Sequence, residues 1–177
     1  NKVSYETNEY LGVHNGFKQG WGEMNQINAS SAYSKGWTGL GSTVAIADTG
    51  YDVDHTEFQG QVVATKDYTG TGMHDQGFSS GGKMIYHGSH VLGTVVAKKD
   101  NDGMHGVAFD SKAVVIKIGN GRYVDINNAA DGFSWAADQG AVVGNLSANS
   151  KYDKQFRGKL DTELADIVKL DDGTYKS

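Results

Sequence analysis

Three short apolar runs set the terms for what this chain can fold into: Thr43-Val44-Ala45-Ile46-Ala47, Ala113-Val114-Val115-Ile116-Lys117-Ile118 and Ala141-Val142-Val143-Gly144-Asn145-Leu146-Ser147. Each is continuous rather than alternating, which suits a strand buried on both faces. The segments between them change period. Val91, Leu92, Val95 and Val96 recur at helical spacing after His87. Ile126, Ala129, Ala130, Phe133, Ala136 and Ala137 form a stripe after Asp125, a suitable cap, with Gly140 just past the end. Strand, helix, strand, helix, strand implies an α/β fold: a doubly wound, mainly parallel sheet with flanking helices and its sites at the carboxyl ends of the strands. Weaker signals give a second strand at Val62–Thr65, a helix Ala29–Lys35 capped by Asn28 and left through Gly36, and Lys98 and Lys99 in the last turn of the helix begun at His87. Thr69 to Gly82 reads as a long surface loop, and Asn101-Asp102-Gly103 as a break.

The chain divides into an extended lead-in at 1–24, a core portion at 25–150 and a charged tail at 151–177 with a short amphipathic pattern of Leu160, Leu164, Ile167 and Val168. Sixteen basic against 21 acidic residues leave a net charge of -5 over 177 residues, which disfavours a nucleic-acid partner. With no Cys there is no disulfide, thiolate metal site or thiol nucleophile. No apolar run approaches the ~20 residues that span a bilayer. Pro is also absent, where average usage predicts about 9.

Chemistry concentrates on an acid at a strand end, Asp48, and a histidine at a helix start, His87. A fixed carboxylate can hold an imidazole by one N–H, select its tautomer and stabilise the imidazolium formed when the ring takes a proton. Gly88 and Gly93 leave that helix without side chains where another segment could approach. The same residues also suit a turn acid and a helix-start histidine with no chemistry. Asp48-Thr49-Gly50 matches half of an aspartic protease dyad too, a reading that requires a homodimer. Gly77-Phe78-Ser79-Ser80-Gly81 fits the nucleophile-elbow pattern but lacks the strand before it and the helix after it. Asp52, Asp54 and Asp100-Asn101-Asp102-Gly103 offer hard oxygen ligands that could hold calcium, without the closing Glu of a full calcium loop. Nothing in the spacing of His55, His74 and His105 suggests one zinc site.

In order along the chain, several segments resemble the subtilisin-like serine proteases, or subtilases. Val44 to Asp52 resembles the family's catalytic-Asp strand, with His55 after it, and His87-Gly88-Ser89-His90-Val91-Leu92-Gly93 its catalytic-His helix. Gly103 to Ala108 is similar to the segment after that helix, Trp135 to Ser147 to the helix and strand leading to the substrate edge, and Ile27 to Tyr33 to the helix before the first core strand. The resemblance implies that Asp48 orients His87 and that His87 acts as general base, then general acid, in acyl transfer to hydrolyse peptide bonds. It implies that Ser147, Ala148 and Asn149 form the edge that pairs with a polypeptide substrate. Asn145 is not the family's oxyanion Asn, whose motif comes later. Neither that motif nor the family's Gly-Thr-Ser-x-Ala nucleophile motif occurs here. The expectation is an incomplete N-terminal part of a secreted or cell-surface serine endopeptidase, inactive alone because nucleophile and oxyanion donor act as a unit with the base. The missing C-terminal part is then its partner, covering the open sheet edge. No cofactor is required, though calcium is common in the family. The alternative is a non-catalytic peptide-binding or scaffold domain on the same fold. Asn149 stands where the family has Gly, and Thr56 and Phe109 where it has Pro, changes expected to free the unfolded chain and lower stability.

Overall fold

The structure, a computed structural model, describes residues 7–14, 17–18, 22–75, 86–121 and 123–148. The tail, Asn149 and the Gly77–Gly81 motif lie outside the described residues. The elements run α1 (Asn8–Leu11), β1 (Val13–His14), β2 (Phe17–Lys18), α2 (Glu23–Gln26), α3 (Ala29–Tyr33), β3 (Thr43–Asp48), a 3-10 turn at Thr56–Phe58, β4 (Val62–Asp67), α4 (His87–Val96), β5 (Lys112–Lys117), β6 (Gly119–Asn120), β7 (Tyr123–Val124), α5 (Ile126–Asp138) and β8 (Val143–Leu146).

Four strands form a parallel sheet in the order β4-β5-β3-β8. The side-chain period of two splits its central strands between two cores. Val44, Ile46, Ala113 and Val115 pack with Leu92 and Val96 of α4, while Ala45, Ala47, Val114 and Ile116 pack with Ala129 and Ala136 of α5. Both faces of β3 and β5 are therefore covered, which is why their sequences are unbroken apolar runs. The doubly wound parallel sheet with flanking helices is the observed architecture.

Several local expectations differ from what forms. β8 was expected to be buried on both faces, yet among the described residues it lies at one edge of the sheet, as β4 does at the other, and Val143 is 55% exposed. Asn28 makes no side-chain cap bond and instead adopts φ 54, a left-handed conformation that Asn tolerates. α4 stops at Val96, so Lys98 lies beyond its last turn and pairs with Asp100 at 2.7 Å. The lead-in is not wholly extended: α1 forms a helical turn, capped by Thr7, and β1 pairs antiparallel with β2.

That N-terminal turn is fixed by an aromatic cluster. Tyr10, Tyr33, His105 and Phe109 meet edge to face or tilted, and the Tyr33 hydroxyl donates to Val107 O at 2.8 Å. Burial and the neighbouring Tyr10 push the Tyr33 phenol up to about 12. Phe109 belongs to the same buried core. His105 Nδ1 bonds Gly106 O at 2.8 Å, and its Nε2 is buried without a hydrogen-bond partner. Burial holds the imidazole below its ordinary value, against the opposing pull of Gly106 O and Glu9. The unfolded chain takes up this proton near pH 6.5 and the folded chain only at lower pH, so the unfolded state binds more protons in between. Stability is therefore full above about pH 6.5 and falls below it. We expect the urea midpoint to drop between about pH 7.5 and 5.5, and His105→Phe to flatten that slope. Parallel slopes in parent and variant would exclude His105 as the source.

Candidate active site

The site is built where the carboxyl end of β3 meets the first turn of α4. After Asp48 the chain turns through Gly50 at φ 145, a conformation that L side chains rarely adopt, and a Cβ there would lie 2.5 Å from Asp75 N. α4 has no side-chain cap at Tyr86; its start is fixed by docking instead. A Cβ on Gly88 would sit on Gly50 O and 3.1 Å from Asp48 Cβ, so only glycine lets the helix come this close. Ser89 Oγ accepts from Asp52 N at 2.8 Å and ties the same turn to the loop.

This docking brings His87 Nδ1 to 3.0 Å from Asp48 Oδ1 and 2.9 Å from Oδ2. Asp48 is 3% exposed and His87 51%. Asp48 Oδ1 also accepts the Thr49 N–H at 2.7 Å. With Nδ1–H facing a carboxylate, Nε2 is the nitrogen left with a lone pair. A buried acid holding a half-open imidazole in that tautomer can accept and return a proton at Nε2.

The surroundings include groups that the sequence did not single out. Thr49 Oγ1 donates to Asp75 Oδ2 at 2.5 Å, and Gly121 N donates to Asp75 Oδ1 at 2.7 Å. Lys117, paired in register with Asp48, is fully buried and donates to Thr71 Oγ1, Gly72 O and His74 O at 2.6 to 2.8 Å. Burial lowers its pKa, while Asp67 and Asp75 pull it back up. Its signal was a cation inside the apolar run of β5, since a buried ammonium needs partners. Asp75 carried no comparable signal. Tyr51 donates to Ile46 O at 2.6 Å, and burial followed by the nearby Asp48 pushes its phenol up.

Ser147 follows Leu146, whose register partner Ala47 precedes Asp48, so the end of β8 comes alongside the end of β3. Ser147 is exposed, and its Oγ accepts from Asn145 Nδ2 at 2.9 Å; Ala148 is partly exposed. Asp100 accepts from Asp102 N as well as pairing with Lys98. Among the described residues no three His, Cys, Asp or Glu side chains are grouped to hold a metal ion. None of the described helices is long and apolar enough to cross a membrane. A groove of about 830 Å³ runs along the flank of α4 past Ser89, His90, Gly93 and Thr94.

The Subtilase family matches residues 39–174. An extracellular serine protease of Serratia marcescens is 35% identical over 121 residues, covering 64% of this chain and 11% of its own length. The major intracellular serine protease of Bacillus subtilis (strain 168) is 30% identical over 158 residues, 85% of this chain and 46% of that protein. Fervidolysin of Fervidobacterium pennivorans is 37% identical over 138 residues, 72% of this chain and 19% of its own. Its crystal structure, described as that of a keratinolytic enzyme related to subtilisin, superposes with a TM-score of 0.60 at 26% identity over 90% of this chain and 25% of that one. The chain spans less than half the length of these curated relatives.

Proposed function

The chain belongs to the subtilase family, and from that premise we propose that it supplies the acid–base half of a serine endopeptidase. The observation that carries this is the contact of a half-open His87 with the buried Asp48 at the carboxyl end of a parallel sheet. In this reading Asp48 orients, and His87 takes the nucleophile's proton and returns it to the leaving amine. The relatives are named serine proteases, which supports peptide-bond hydrolysis and a polypeptide substrate. Ser147, Ala148 and Asn149 would pair with the substrate backbone as an added strand. The acyl-transfer chemistry assigned to the pair calls for no cofactor.

In this reading the nucleophile and oxyanion donor are supplied by a further segment, since neither motif is in these 177 residues. The edge that β8 forms among the described residues and the groove along α4 are surfaces for the part that brings them. For a secreted or cell-surface location, the Serratia relative is named extracellular, while the Bacillus relative, which matches more of this chain, is named intracellular.

The test is active-site labelling with a fluorophosphonate. The chain alone should not label; the chain continued through a segment carrying Gly-Thr-Ser-x-Ala should label and hydrolyse an unstructured protein, and His87→Ala should abolish both. Labelling of the chain alone would overturn the external nucleophile. Undiminished hydrolysis in His87→Ala would overturn the base.

A further inference from the structure

The geometry points to Asp75 as a positioning residue for the Asp48–His87 pair, acting through the hydroxyl of Thr49; the inference rests on reading that pair as orienter and base. Thr49 Oγ1 lies 2.5 Å from Asp75 Oδ2 and 3.2 Å from Asp48 Oδ1. A hydroxyl has one hydrogen to donate. The shorter contact, of charge-assisted length, takes it. Asp48 therefore receives the Thr49 N–H and His87 but not the hydroxyl proton, although the oxygen is within reach. A carboxylate with fewer competing donors holds an imidazolium more strongly, and the second buried negative charge adds to that pull.

The fold secures Asp75 in this place from three sides. Gly121 N holds its other oxygen. Lys117 clamps the carbonyls of Gly72 and His74, so the segment that carries Asp75 is tied to the strand beside Asp48. Gly50, without a Cβ, admits the Asp75 backbone. Among the described residues, other charged or titratable groups nearby include Tyr51, whose proton goes to Ile46 O, and Asp67 near Lys117. In Asp75→Asn the amide oxygen stays with Gly121 N–H, and the NH2 faces Thr49 and donates to its hydroxyl oxygen. The Thr49 hydrogen then turns onto Asp48.

The readout is the titration of His87 followed by NMR in the 177-residue chain, assigned with His87→Gln. Asp75→Asn should lower the midpoint by on the order of half a unit or more. Thr49→Val, which is isosteric, should leave it unchanged because the hydroxyl gives nothing to Asp48. Asp75→Asn made in the Thr49→Val background should produce a smaller drop, since no hydroxyl remains to turn. A rise in Thr49→Val would show that the hydroxyl serves Asp48 and would overturn the inference; this arm decides the matter even if Asp75→Asn fails to fold. Equal drops in both backgrounds would reduce Asp75 to its charge and overturn the link through Thr49. Asp48→Asn separates the two readings: if it leaves the His87 midpoint unmoved, the orienter reading falls. If it lowers the midpoint and Asp75→Asn does not, only the role of Asp75 falls.

Discussion

Asp48→Asn should cost the completed catalytic domain on the order of 10⁴ in kcat/KM while leaving it folded. The reason lies in which oxygen each donor uses. Thr49 N–H is bound to Asp48 Oδ1 at 2.7 Å, and the asparagine carbonyl will keep that backbone donor satisfied. The amide nitrogen must then occupy the place of Oδ2, which is 2.9 Å from His87 Nδ1. Two N–H groups would oppose each other there, and Oδ1, although 3.0 Å from Nδ1, is already engaged by the Thr49 N–H, so the imidazole favours the tautomer with its proton on Nε2 and Nδ1 as acceptor. A ring protonated at Nε2 has no lone pair for the nucleophile, and the imidazolium also loses its counter-charge. The substitution removes no volume, so the thermal midpoint should change far less than the rate. Steady-state kinetics with circular dichroism checks both statements, and ¹⁵N shifts of His87 report the tautomer. A loss below about tenfold would mean that Asp48 does not set the tautomer.

The parts that could be read from residues alone are those whose physics is local. β3 and β5 lie between two cores, so burial on both faces wrote itself into continuous apolar runs at Val44–Ala47 and Ala113–Ile116. α5 was visible because Asp125 accepts from Asn127 N at 2.8 Å and an alanine stripe faces the sheet. The same reasoning overestimated the burial of β8, because an apolar run does not report which of its faces another segment covers. It also could not find Asp75. That carboxylate is 26 residues from Thr49 and 46 from Gly121, and the loop that presents it follows no period. Lys117 shows the intermediate case: its charge inside an apolar run announced that partners must exist, but those partners are mainly loop carbonyls, which have no sequence signature.

Gly88→Ala should destabilise the chain by about 1–3 kcal/mol and separate His87 from Asp48. Helix propensity alone predicts the opposite, since Ala in place of Gly favours a helix by roughly 1 kcal/mol. The contact decides the sign. The new Cβ would land on Gly50 O and 3.1 Å from Asp48 Cβ, and neither atom can rotate away as the end of a flexible side chain could. The first turn of α4 must lift from the loop, drawing His87 with it and loosening the Ser89 tie to Asp52. A displacement of about 1 Å at such a group costs on the order of 10² in rate. Gly93, one and a half turns further along α4, supplies the control: a Cβ there meets only Phe58 ring atoms at 3.7 and 3.8 Å, which is ordinary contact. Gly93→Ala should therefore be neutral or stabilise by up to about 1 kcal/mol through propensity and a less free unfolded chain. Urea unfolding of the two variants, with the downfield Nδ1 proton of His87 as a probe of the pair, tests the contrast. Equal stability in the two would show that the helix does not need the bare backbone at Gly88 to reach Asp48.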